Sequence, residues 1–176
     1  YLVEGAVGDW SALYLFEDKG IVIEEAVMGV MLFNGTMCIG RLLGNRLGKH
    51  LTSKQVVVGG YLLGSIAMGL IVFLPGHASM YTYLLLGISL AMIVPNLFSA
   101  MGEQNVIPMT QAVATSTMLG YMGILMGPAL IGFIAHGTSL TVAFIVLTTL
   151  LVVNAGIGKY AYHLMSKDCG LSEEQI

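Results

Sequence analysis

Charge is what this sequence has least of. Asp, Glu, Lys and Arg make up 10% of its 176 residues, against roughly 25% in ordinary soluble domains. With 56% hydrophobic residues and a mean hydropathy of +0.85, a soluble core of this length could not hide the apolar surface, whereas a bilayer can. Seven basic residues and a net charge of −3 leave no basic face of the kind nucleic-acid phosphates require. Cysteine is nearly absent: Cys38 lies in an apolar run and Cys169 in a polar tail, at different depths, which argues against a disulfide framework. The four histidines, His50, His77, His136 and His163, are scattered over loops and span ends, so no metal site is read. Glycine-rich segments do not follow strands, so no phosphate cradle and no cofactor is implied. The chain opens at Tyr1 inside an apolar run, without a charged stretch and cleavage site. Its start therefore reads as a cut end, not a signal peptide.

What is present is a series of apolar runs. A helix needs about 20 such residues to cross the hydrocarbon core, and six candidates occur: residues 1–16, 26–43, 56–74, 80–101, 113–135 and 140–162. The first is short. The joints between them carry polar or breaking residues, such as Glu17-Asp18-Lys19-Gly20, Pro75-Gly76-His77, Pro108 and His136-Gly137-Thr138. A closed β-barrel would alternate apolar and polar residues, and runs such as Val142–Val153 are apolar all round. The expected fold is all-α and integral to the membrane: a six-helix transmembrane domain over 1–165 and a polar cytoplasmic tail over 166–176.

One dense basic cluster, from Arg41 to Lys54, separates the second and third runs. Short cytoplasmic loops retain Lys and Arg. With this cluster inside, alternation puts Arg41, Arg46, Lys49, Lys54, Lys159 and Lys167 inside and Lys19 outside, beside Glu17, Asp18, Glu24 and Glu25. The expected location is the cytoplasmic membrane, multi-pass, with the carboxyl terminus in the cytoplasm.

Intramembrane carboxylates face water or a partner, which singles out Glu4 and Asp9. Glu4 lies roughly 18 Å from the end of the first span, near the midplane, and Asp9 roughly 7.5 Å higher. Their side chains point about 140° apart. Either is a candidate proton carrier; either could instead make a structural hydrogen bond, and Asp9 could sit near the outer interface. Gly8 and Ser11 share the side of Glu4, a stripe that suits a wet face or a close helix contact. Trp10 and Tyr14, one turn apart, could stack on a sugar ring or join the interfacial aromatic belt. Asn96 shares a face with Ser89, with Pro95 freeing a backbone carbonyl nearby. Asn96 and Asn34 could bind a solute or another helix, and Tyr121 is a further candidate. Gly60 and Gly64 read as helix packing.

Here the residues resemble a family. Gly44-Asn45-Arg46-Leu47-Gly48-Lys49 is close to the loop signature of the major facilitator superfamily. Gly123-x-x-x-Gly127-Pro128-x-x-x-Gly132 looks like its Gly-Pro helix-packing motif. The opening Glu4-Gly5-Ala6-Val7-Gly8-Asp9-Trp10-Ser11 and the stretch Val94-Pro95-Asn96-Leu97-Phe98-Ser99-Ala100 resemble a sugar-permease-like branch near the fucose permeases. The resemblance runs from Tyr1 to about Tyr162. It implies the carboxy-terminal half of a twelve-helix permease whose amino-terminal six helices are the missing partner. The first and fourth spans would then line a central cavity, the second and fifth would form the moving interface, and the third and sixth would face lipid. Asn45 departs from the signature, which carries an acidic residue there, so a cytoplasmic charge latch should be weaker.

The function expected is secondary transport of a small polar solute, such as a sugar or related metabolite, coupled to protons if Glu4 or Asp9 carries them. The alternative is a half-size protein that dimerises into a pore or structural unit. An intramembrane hydrolase would need a nucleophilic serine and a base at one depth; Gly64-Ser65-Ile66 and Gly87-Ile88-Ser89-Leu90 do not fit, and no histidine lies mid-span.

Overall fold

The computed structural model describes residues 1–47, 51–103 and 107–169. These form helices α1 (Leu2–Glu17), α2 (Ile23–Leu47), α3 (Ser53–Phe73), α4 (Gly76–Ala91), α5 (Ile93–Glu103), α6 (Met109–Gly137) and α7 (Leu140–Cys169). Among the described residues, five segments are long and apolar enough to cross a bilayer: Ile23–Gly44, Ser53–Phe73, Gly76–Gly102, Met109–Gly137 and Leu140–Met165. The third of these joins α4 to α5. At 16 residues, α1 is about 24 Å long, short of the ~30 Å hydrocarbon core.

The helix boundaries follow local chemistry more than hydropathy. α3 begins at Ser53, ahead of the apolar run, because Thr52 and Gln55 form a reciprocal capping box: the Thr52 hydroxyl accepts from the Gln55 amide at 3.3 Å and the Gln55 side chain accepts from the Thr52 amide at 3.2 Å. Two of the helix's free N–H groups are thereby satisfied. α2 starts early, at Ile23, with Glu24 and Glu25 in its first turn, where the helix dipole favours negative charge. It also runs on to Leu47, since no proline interrupts Leu43–Leu47 and a single glycine such as Gly44 costs only about 1 kcal/mol inside a helix. Gly44, Asn45 and Arg46 therefore lie in the end of α2, not in the loop the sequence suggests; Gly48 and Lys49 fall outside the described residues.

The break between α4 and α5 has an identifiable cause. Pro95 has no N–H for the Ala91 carbonyl and cannot continue the helical ladder. Met92 interrupts the helix, and Asn96 sends both its amide N–H (3.2 Å) and its side-chain Nδ2 (2.8 Å) to the Met92 carbonyl.

The helices are arranged as an arc. α1 packs between α6 and α2, α2 packs on α4, α4 on α3, and α3 on α7, while α6 and α7 meet only lightly. The core runs through the arc, with Tyr14, Phe33, Met68, Ile71, Tyr83, Leu86, Phe144 and Leu147 fully buried. The Tyr14 and Phe144 rings stack at 4.2 Å and 15°. Ser11 is buried among them, facing Tyr83, so it belongs to a helix contact; Gly8 is exposed.

Close backbone approach sets two of the seams. At Gly5 of α1, a Cβ would lie 2.8 Å from the carbonyl oxygen of Ile124 in α6. That oxygen is the acceptor left free by Pro128 four residues on, so a glycine backbone covers the defect the proline creates. On the α2–α4 seam a Cβ at Gly87 would strike the Phe33 carbonyl and the Thr36 hydroxyl, and one at Gly40 would sit 2.6 Å from the Ala91 methyl. Small residues that let backbones meet are the usual adhesive of membrane helices.

One end of the bundle is tied together by side chains. Thr141 donates to Asp18 at 2.7 Å, Lys19 donates to the Val72 carbonyl at 2.6 Å, and His77 meets Glu25 at 2.7 Å. These contacts join the α1–α2 loop to α7 and α3, and the first turn of α2 to α4. The Lys19 ammonium also lies 5.4 Å from the Tyr14 ring centroid. Burial pulls the Lys19 pKa below its ordinary value, and Asp18 opposes that shift in part.

Candidate solute cavity

A cavity of about 570 Å³ opens inside the arc, bounded by the start of α1, the α4–α5 break, the middle of α6 and parts of α3 and α7. Its walls are mostly apolar, including Leu90, Leu97, Phe98 and Leu119; Tyr1, Glu4, Tyr61, Ser116 and Asn154 supply the polar side chains among the described residues. The broken helix contributes Leu90 from α4 and Ile93, Leu97 and Phe98 from α5 to the wall.

Glu4 is the one charged residue in that lining. Its carboxylate is met by Arg41 from α2, whose Nη2 lies 3.2 Å from Oε1 and 3.3 Å from Oε2. Arg41 is 18 residues into α2, about 27 Å from its start, and its long side chain leans back along the helix toward Glu4. The first residue of the basic cluster is thus a helix residue with a membrane-level partner.

Of the other candidates, none lines this cavity. Asp9 is exposed on α1. Trp10 packs on α6: its indole Nε1 donates to the Pro128 carbonyl at 2.9 Å, and its ring lies where a Cβ at Gly132 would come within 2.8 Å. Its outer edge borders a second hollow of about 530 Å³ shared with Glu17, Asp18 and His136. Asn34 is exposed and donates to the Val30 carbonyl of its own helix at 3.0 Å. Asn96 is spent on the Met92 carbonyl. Tyr121 is 64% exposed on the outside of α6. Ser89, which shares a predicted face with Asn96, is buried near Gly64 of α3 and donates to Leu86 at 2.7 Å.

The glycines of the Gly-Pro motif meet α1. A Cβ at Gly123 would lie 3.2 Å from the Leu2 nitrogen, and one at Gly127 would lie 2.6 Å from the Leu2 carbonyl. Gly123 also borders the cavity.

Tyr61, Ser116 and Asn154 were not singled out from the sequence. Asn154 had a signal: it is an amide deep within an apolar span, the same feature that marked Asn34 and Asn96. Its Nδ2 donates to Leu150 at 2.7 Å, which leaves the amide oxygen as an acceptor. Tyr61 and Ser116 carry no comparable mark, since a tyrosine or serine is common in any membrane helix.

No known family profile matches the chain. It is 42% identical over 147 residues to an uncharacterised MFS-type transporter of Yersinia pestis, an alignment that covers 82% of this chain and 38% of that protein. It is 28% identical over 159 residues to the membrane protein MosC of Rhizobium meliloti, covering 89% of this chain and 39% of MosC. An uncharacterised transporter of Sinorhizobium fredii is 28% identical over 149 residues, with 82% and 39% covered. The chain spans under two fifths of the length of these relatives. It is a multi-pass helical membrane protein, homologous to two proteins named as transporters, one of them MFS-type.

Proposed function

We propose that this chain is the carboxy-terminal six-helix half of a twelve-helix permease of the major facilitator superfamily, and that the whole protein moves a small polar solute across the cytoplasmic membrane by alternating access. On this reading α1 is the first span, residues 1–165 are the helical half, and residues 166–176 are a cytoplasmic tail. The missing amino-terminal half completes the cavity wall.

The observation that carries the proposal is where the bundle leaves itself uncovered. Only 17% of the α6 span and 28% of the α2 span is buried, against 39% of α3. These two are the helices that the superfamily resemblance assigns to the interface between halves. The helix pairing supports the same reading. Exchanging the first three spans for the last three turns the α1–α6 contact into the α4–α2 contact and returns the α3–α7 contact to itself. An inverted repeat of three spans has that symmetry. The basic end, with Arg41, Arg46, Lys54 and Lys159, faces the cytoplasm by the positive-inside rule. Glu4 is the candidate for coupling transport to protons, since it alone among the intramembrane carboxylates lines the cavity.

The test is uptake by the full-length protein in proteoliposomes offered a mixture of small metabolites, under a pH gradient of either sign, read by mass spectrometry. At least one solute should accumulate above protein-free vesicles. If none does under either gradient, the transporter reading fails. Sugars within the mixture test the narrower, sugar-permease-like assignment.

A further inference from the structure

The contact between Glu4 and Arg41 is arranged unlike a structural ion pair. A fork-to-fork guanidinium–carboxylate pair makes two parallel bonds from two nitrogens. Here a single Nη2 straddles both oxygens, at 3.2 and 3.3 Å, and the side chains remain 42% exposed for Arg41 and 27% for Glu4. Ion pairs this open contribute little to stability and exchange partners easily. The two charges are also placed unequally: Glu4 lines the cavity and Arg41 does not. A solute inside the cavity therefore meets a carboxylate whose present partner approaches from outside it.

We propose that the cavity takes an amphipathic solute bearing one ammonium group on an apolar body, and that this ammonium replaces Arg41 on Glu4. Arg41 acts as a resident stand-in for the solute's cation. It keeps the carboxylate paired when the cavity is empty. The apolar walls, with the Tyr61 and Phe98 rings among them, suit the solute's body, and aromatic faces also favour a nearby cation. The charged group that faces Glu4 among the described residues is Arg41 from α2. The other cavity walls bring uncharged polar groups: Ser116 from α6, Tyr61 from α3 and Asn154 from α7, while α5 brings apolar side chains. Guanidinium and ammonium then compete for one carboxylate.

This inference rests on the transporter reading for its meaning, but its test is independent of transport. Benzylamine, benzyl alcohol and benzoate share one apolar body and differ in charge. Equilibrium binding of each to the detergent-purified full-length protein is measured at about pH 8, far above the ordinary carboxyl range. The wild type should prefer benzylamine. Glu4→Gln should weaken benzylamine by about 10- to 100-fold, the worth of a charge-assisted hydrogen bond, bringing it to the level of benzyl alcohol. Arg41→Gln should bind benzylamine about two- to fivefold tighter, because an exposed competitor is gone. The double variant E4Q/R41Q leaves no unpaired charge; it should melt like the wild type and show no preference for benzylamine. Loss of benzylamine binding in Arg41→Gln, a wild type that prefers benzoate, or a double variant that keeps the amine preference would each overturn the proposal. Solute uptake without an amine preference sinks this inference and leaves the transporter reading standing. Glu4-dependent amine binding without uptake does the reverse.

Discussion

Gly5 and Gly8 offer a controlled measurement of what holds α1 against α6. Both lie inside α1, one turn apart, and an alanine at either gains the same helix propensity, about 1 kcal/mol. Their surroundings differ sharply. A methyl group at position 5 would lie 2.8 Å from the Ile124 carbonyl oxygen and 3.1 Å from the Ile124 Cα, both backbone atoms, whereas at position 8 nothing lies within 4 Å. To restore ordinary contact α1 must retreat by about half an ångström, which overpacked interfaces tolerate at a cost of about 1–3 kcal/mol. Retreat also uncovers the Ile124 carbonyl. Because the propensity gains cancel, the gap between Gly5→Ala and Gly8→Ala isolates the seam, and it should be about 1–3 kcal/mol in favour of Gly8→Ala. In thermal unfolding of the detergent-solubilised protein that gap reads as about 2–10 °C. Equal melting temperatures for the two variants would refute the close backbone approach.

Two further expectations follow from the contacts. Trp10→Phe removes the indole donor to the Pro128 carbonyl and should cost about 0.5–1.5 kcal/mol of stability while solute uptake persists; a loss of uptake without a loss of stability would instead put the indole against the solute. Lys19 carries the pH dependence. Burial lowers its pKa below 10.5, so between the lowered value and 10.5 the unfolded chain holds more protons than the folded one and stability rises with pH. The melting temperature should climb across that window, and Lys19→Met should flatten this part of the profile.

Much of the architecture is legible in the sequence because apolar runs set by bilayer thickness are hard to mistake. Each apolar run corresponds to helix, and where boundaries shift the reason is polar and local. Thr52 and Gln55 form a capping box that a count of hydrophobic residues passes over. The stretch from Gly44 to Leu47 contains no proline, so α2 continues, despite Gly44, through residues that read as loop. Pro95 was visible as a source of a free carbonyl, yet the run around it reads as one span, and the structure interrupts it at Met92. The cavity is less legible. Hydropathy does not distinguish a side chain that meets lipid from one that meets a hollow, so the rotation of each helix must be inferred from a few polar residues. Glu4 was found by the cost of an intramembrane charge. Arg41 was seen only as part of a basic loop, since nothing in the sequence links it to a residue 37 positions earlier.

The α1–α6 seam bears on how the protein is made. The Trp10 indole waits for a carbonyl 118 residues further along the chain. At roughly 5–20 residues per second of synthesis, that interval is about 6–24 s. During it the Gly5 backbone has no Ile124 carbonyl to cover. α2 is the neighbour that arrives first, and it brings Arg41 to Glu4. The α1–α2 contacts, with Arg41 on Glu4 among them, are therefore made before the α1–α6 seam, so chains arrested ahead of α6 should already carry them.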